Sequence, residues 1–221
     1  MTRRRGYTRE PARETLTAAA PQSAEILEAL KHGAAALRDA GIEFALGGGL
    51  SAWARGGPPT EHDIDFLIRE RDIDAALHAL AAAGMHAERP PEGWLAKAWY
   101  GDVLIDLLFA PYGAAIDDKF FARCDQMSVA AVRMLVMPID DLVVGKLLAL
   151  TEHNLDYSSL LVYARALREQ IDWDAVSART ASSPFARTFL RLLHELDIVP
   201  EASESRRSTP AAVRSWERWV R

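Results

Sequence analysis

With a single cysteine, Cys124, the chain cannot form an internal disulfide, a usage that suits a reducing cytoplasm. No apolar run reaches the roughly 18 residues that span a bilayer, so no membrane association is expected. The opening segment, Thr2-Arg3-Arg4-Arg5-Gly6, is basic but lacks the apolar centre of a secretory signal, and a cytoplasmic location follows as the expectation. A formal net charge of -5 gives no global case for nucleic-acid binding. Several motifs are missing too. No Gly-Lys-Ser/Thr follows the glycines, which excludes a P-loop, and the G-x-G-x-x-G of dinucleotide binding is lacking. Gly49-Leu50-Ser51-Ala52-Trp53 lacks the second glycine of a hydrolase elbow. His62, His86, His153 and His194 show no zinc-ligand spacing.

What is present is an ordinary globular composition, 49% hydrophobic and 26% charged over 221 residues. That length allows one sizeable core, or one core with a smaller helical annex. Charge is uneven: Arg3, Arg4 and Arg5 open the chain, and Arg206, Arg207, Arg214, Arg218 and Arg221 close it. These are either solvated tails or a grip on a polyanion.

Residues 1–20 have no hydrophobic period and read as a basic flexible arm. Ser23, Glu25 and the set Ile26, Leu27, Leu30, Ala34, Leu37 predict a capped amphipathic helix ending near Gly41. A short strand (Phe44, Ala45, Leu46), three glycines and a short helix from Leu50 to Ala54 follow. A strand over 63–68, a helix over 73–83 stopped by Gly84, and a hairpin of 94–100 with 103–109 turning at Gly101-Asp102 come next. Residues 128–136 read as one further strand, and helices are expected over 139–150, 157–167, 173–179 and 184–196. The expected plan is an α/β fold of the α+β kind, with a small mixed β-sheet core and flanking helices over 21–137. A C-terminal helical part over 138–196 follows it, then a polar tail, 197–221, with a short helix bearing Trp216 and Trp219.

The chemistry concentrates in three apolar stretches. After the Phe44 strand come Gly47, Gly48 and Gly49, then Ser51; glycines there allow close backbone approach, and a helix start presents N–H groups to phosphate, although a tight structural turn explains them equally. Next comes Asp63-Ile64-Asp65. In an extended strand the two carboxylates share one face, about 7 Å apart, and repel each other unless something cationic lies between them. The third is Asp106, flanked by Leu104, Ile105, Leu107 and Leu108. Its burial requires either a partner Arg or Lys or a bound ion, and Mg²⁺ favours a few carboxylates with phosphate oxygens.

An apolar strand, Gly-Gly, about a dozen residues, Asp-x-Asp and a third strand-borne Asp together resemble the DNA polymerase β-like nucleotidyltransferase superfamily. The resemblance implies a nucleotidyltransferase core in which Asp63, Asp65 and Asp106 bind two Mg²⁺ ions, with Asp106 on the catalytic one and near the acceptor hydroxyl. It also implies that Gly48, Gly49 and Ser51 contact the phosphates of an NTP. Lys146, in the apolar run Asp141 to Leu150, and Asp156 after a short turn resemble the AbiEii and MenT-type toxin branch. There the lysine would reach the phosphates and join the catalytic set, and the aspartate would support the nucleotide. On the residues alone, Lys146 is equally a helix-surface lysine and Asp156 an N-cap. Where many relatives carry Arg-x-Thr, this chain has Pro58-Pro59-Thr60, with Arg55 the nearest arginine.

The expected activity is transfer of a nucleoside monophosphate from an NTP to a hydroxyl, releasing pyrophosphate. The resemblance points to the acceptor end of tRNA, with an antitoxin protein as a possible partner. A small-molecule acceptor of the aminoglycoside or lincosamide type is the alternative. A non-catalytic nucleotide-binding module and a phosphohydrolase remain open. Trp94, Trp99 and Tyr100 either pack the hairpin or stack on a base.

Overall fold

The computed structural model describes residues 23–60, 63–111 and 115–199; the basic arm, His62 and the Trp216/Trp219 segment lie outside them. Its elements run α1 (Ala24–Asp39), β1 (Phe44–Leu46), α2 (Gly48–Ala54), β2 (Ile64–Ile68), α3 (Ile73–Ala82), β3 (His86–Glu88), β4 (Leu95–Tyr100), β5 (Val103–Leu108), α4 (Asp118–Phe121), β6 (Asp125–Val129) and β7 (Val132–Val136). Four helices follow: α5 (Ile139–Leu148), α6 (Ser158–Leu167), α7 (Trp173–Arg179) and α8 (Pro184–Glu195). The strands form one seven-stranded mixed sheet in the order β3-β4-β5-β2-β1-β7-β6. β2 runs parallel to β5, and β1 parallel to β7, while the other neighbours are antiparallel. This is the mixed α/β architecture expected from the sequence.

Alternation sorts the strand residues between two apolar clusters. Ile64, Phe66, Ile68, Ile105 and Leu107 face α1 and α3, packing with Leu30, Leu37, Ile73 and Leu80. Gly33 lets α1 lie close to the sheet, since a Cβ there would meet Phe66 at 3.1 Å and Ile105 at 3.3 Å. Phe66 is fully buried, and truncation to alanine would cost about 3–5 kcal/mol. On the opposite face Ala45, Leu67 and Met137 pack with Val143, Leu147, Leu160, Tyr163 and Phe189 from the C-terminal helices. Arg69 staples the end of β2 to its surroundings, pairing with Glu43 at 2.7 Å and Asp118 at 2.6 Å and stacking on Phe121.

Four details differ from the sequence expectation. Residues 128–136 are not one strand: β6 and β7 form a hairpin around Ala130 and Ala131, at φ 49° and 68°. Helix α2 starts at Gly48 rather than Leu50, because Gly48 takes a left-handed φ of 51° and lets the chain turn at once. Ser23 precedes α1 without a side-chain cap bond. The short strand β3 and helix α4 had no periodic signal, being only three and four residues long.

Candidate active site

The sheet register builds the site in a single row. The Gly47 amide donates to the Asp65 carbonyl at 2.8 Å, at the end of β1. Asp65 is the register partner of Asp106 across the parallel β2–β5 pair, and Asp106 is that of Lys97 across the antiparallel β4–β5 pair. Asp63 immediately precedes β2, two residues from Asp65 and so on the same face. Carboxylate oxygens of Asp63, Asp65 and Asp106 all lie within 4.8 Å of one another. Among the described residues no other three His, Cys, Asp or Glu converge in this way, and His86, His153 and His194 belong to no such group.

Burial and crowding raise the proton affinity of Asp65 and Asp106. Burial first, then the charges of Asp63 and Asp106, push the Asp65 carboxyl up to about 7, against a downward pull from Lys146. Burial also raises Asp106, to about 6, with Lys97 pulling down and Asp63 pushing up. Lys97 is the partner cation that a buried Asp106 called for, but its Nζ stands 3.9 Å from Oδ1, beyond hydrogen-bond reach. Asp106 Oδ1 is buried and accepts no hydrogen bond. Such an orphaned oxygen beside two further carboxylates fits a hard divalent cation, the donor set that Mg²⁺ takes.

The glycine turn closes one side. A Cβ on Gly48 would overlap Asp65 Oδ2, so only glycine lets the backbone lie against this carboxylate. A Cβ on Gly49 would press on Thr60 at 2.8 Å, so Gly49 seats the loop that leads to Asp63. Ser51 is fully buried and donates to the Gly48 carbonyl at 2.7 Å; its hydroxyl braces the turn from within. Lys146 on α5 is brought to Asp65, whose titration it influences, and its Nζ lies 5.7 Å from the Tyr163 ring centre. Tyr163 on α6 also feels the Asp65 charge, which adds to burial in raising its phenol.

Asp156 stands outside the carboxylate cluster. It is exposed, and its Oδ1 accepts the Ser158 amide at 2.8 Å at the start of α6. Arg55 is engaged elsewhere, donating to Asp125 at 2.7 Å and to the Met137 carbonyl at 2.9 Å. Burial above all pushes the Cys124 thiol up to about 12, which disfavours the thiolate that a cysteine nucleophile requires. Sequence reasoning missed Lys97 and Tyr163. Lys97 was accessible, since a two-residue turn at Gly101-Asp102 places it opposite Asp106. Tyr163 sits in the apolar stripe Leu160, Tyr163, Leu167 and carries no signal beyond core packing.

No family model and no curated sequence matches this chain. The likeness lies in structure. The solution structure of the antibiotic-resistance factor ANT(2'')-Ia superimposes with a TM-score of 0.55 at 16% identity, over 77% of this chain and 96% of the other. Its crystal structure in complex with adenylyl-2''-tobramycin gives 0.56 at 16% identity, over 74% and 98%. The lincomycin-bound lincosamide antibiotic adenylyltransferase LnuA gives 0.46 at 11% identity, over 64% and 94%. The chain therefore has the nucleotidyltransferase fold. No helix among the described residues is long and apolar enough to cross a membrane.

Proposed function

We propose that this protein is a Mg²⁺-dependent nucleotidyltransferase that moves a nucleoside monophosphate from an NTP to a hydroxyl, with the acceptor end of tRNA as the acceptor. The observation that carries the reading is the convergence of Asp63, Asp65 and Asp106 within 4.8 Å. They meet beside a turn that only glycine can make. Asp63, Asp65 and Asp106 would hold a pair of Mg²⁺ ions, which when bound supply charge neutralisation on the triphosphate and acidify the acceptor hydroxyl. The chain's own residues do the positioning. The Gly47–Gly49 turn offers its backbone to the phosphates, and Lys146 adds a point cation on the same side. Asp106, on the far side, receives the proton as the acceptor oxygen bonds to the α-phosphorus. The bond from α-phosphorus to the bridging oxygen breaks, and pyrophosphate leaves with the electron pair. In this reading the sheet part supplies the carboxylates and the helical part the cation.

Incubation with Mg²⁺, each α-labelled NTP, bulk tRNA and a panel of aminoglycosides and lincosamides tests it. Label on the tRNA 3′ end, lost with Asp65→Asn, is the expected result. Label on an antibiotic would move the acceptor to the small-molecule class. Pyrophosphate or phosphate release without incorporation would make it a phosphohydrolase, and nucleotide binding without turnover a binding module.

A further inference from the structure

The row across the sheet has a direction. Gly47 lies at one end, just past β1; Asp65 and Asp106 follow on β2 and β5; Lys97 and then Glu88 continue it on β4 and β3. With phosphates at the glycine end, the acceptor enters from the Lys97 end. That end differs in character from the rest of the sheet. Leu95, Lys97, Trp99, Leu104 and Leu108 share the face of Asp106; Leu108 packs against the C-terminal helices and Leu95 is buried, whereas the half-buried Lys97, Trp99 and Leu104 belong to neither apolar cluster. Helices α1 and α3 cover the other face, where Ala96, Ala98 and Ile105 point. Trp99 stands two residues along the strand from Lys97, so about 7 Å away on the same face. The His86 ring flanks it at 5.5 Å. Glu88, opposite Lys97, is exposed at the edge and forms no ion pair with it among the described residues.

We propose that Lys97 and Trp99 form the acceptor subsite, and that they take the terminal nucleotide of a single-stranded RNA end. This rests on the transfer reading above and names residues that reading does not use. Lys97 lies between Asp106 and Glu88, so its ammonium is free to attract an anion once divalent ions neutralise the three clustered carboxylates. A lysine serves a phosphate as a point charge, and an indole one strand step away accepts a base by stacking. The two side chains thus match a phosphate and a ring joined by one sugar, with the hydroxyl directed at Asp106.

The test is binding, separate from turnover. Fluorescence anisotropy of the full chain with a labelled single-stranded RNA oligonucleotide is followed across a monovalent salt series at fixed Mg²⁺, without NTP. Lys97→Ala is expected to weaken binding about tenfold and to reduce the slope of log affinity against log salt by about 0.7, the contribution of one phosphate on a single strand. Lys97→Arg should restore both. Trp99→Ala should weaken binding with the slope unchanged, because stacking releases no counterion. Whatever the arginine-rich termini add is common to all variants. An unchanged slope in Lys97→Ala, or equal loss in Lys97→Ala and Lys97→Arg, overturns the subsite. RNA capture by this signature without label transfer would keep the subsite and remove the transfer reading. Transfer to a tRNA end that Lys97→Ala leaves untouched would do the reverse.

Discussion

Asp65 and Asp106 are register partners on adjacent strands, yet they differ in their neighbours. Asp65 is enclosed by the Gly48 backbone, by Lys146 from α5 and by Tyr163 from α6. Asp106 is itself buried, but its neighbours on β4 and β5 are the partly exposed Lys97 and the half-buried Trp99 and Leu104, which among the described residues belong to neither apolar cluster. The enclosed side suits a compact, highly charged donor, since a low dielectric strengthens each contact to it. The side bordered by Lys97 and Trp99 is the one left for the acceptor. The fold thus divides donor and acceptor between two carboxylates one strand apart.

The largest effect should come from removing either carboxylate. Asp65→Asn and Asp106→Asn are each expected to lower transfer on the order of 10³-fold, the scale of a lost transition-state electrostatic contact. Mn²⁺ binding, followed by electron paramagnetic resonance, should weaken in both. If Asp106→Asn bound Mn²⁺ as the parent does, this carboxylate would not be a metal ligand and the division would fail.

Gly48→Ala breaks the enclosed side alone. The left-handed φ of 51° costs an alanine about 1–2 kcal/mol, and its Cβ collides with Asp65 Oδ2. A displaced carboxylate should lower kcat about 10²-fold, as misplacement by an ångström does elsewhere. Binding of an RNA oligonucleotide on the Lys97 side should not change. Coupled loss of both would show that the two sides are not separable.

The third effect is on stability. Both carboxyls titrate higher in the folded chain than at their ordinary 3.8, so the folded state binds protons more tightly than the unfolded one. Stability therefore falls as pH rises from the ordinary carboxylate range through about 6 for Asp106 and about 7 for Asp65. Mg²⁺ should offset this loss. Added Mg²⁺ is expected to raise Tm by several degrees at about pH 8 and by much less at about pH 5, each kcal/mol being worth about 2–4 °C at this size. Asp65→Asn should flatten the dependence more than Asp106→Asn, because its carboxyl is raised further, to about 7 against about 6. Equal Mg²⁺ stabilisation at both pH values would dissociate the ion from these carboxylates.

The Lys97 side was also the less legible in sequence. Asp63, Asp65 and Asp106 could be placed because strand alternation is a strict rule and because carboxylates in apolar runs stand out. Lys97 follows from the hairpin, but only once the Gly101-Asp102 turn is taken as two residues long, since one residue more would flip it to the other face. The β6–β7 hairpin could not be read. A tight turn with positive φ at both central positions ordinarily uses Asn-Gly, and here Ala130-Ala131 adopts it under the pairing of five residues on each side. Tyr163 was hidden for a different reason: its ring packs as core while its hydroxyl end feels Asp65, and sequence shows only the first.

The smallest effect concerns Asp156, whose two readings the comparison separates. Its carboxylate accepts the Ser158 amide and is held below the ordinary carboxylate range by the Ser158 hydroxyl first and that amide second, while it remains exposed at the entry to α6. Helix α6 carries Tyr163, so a frayed first turn could reach the enclosed side only indirectly. Asp156→Asn keeps an acceptor oxygen for the Ser158 amide, whereas Asp156→Ala does not. A capping role predicts a slight fall in Tm for Asp156→Ala, restored in Asp156→Asn, with kcat and the KM for NTP unchanged in both. A nucleotide-supporting role predicts instead that both variants lose kcat/KM, by an amount approaching the hundredfold of a lost charge contact. Thermal melts and steady-state kinetics on the pair decide between them, and on the geometry described the cap is the expected outcome.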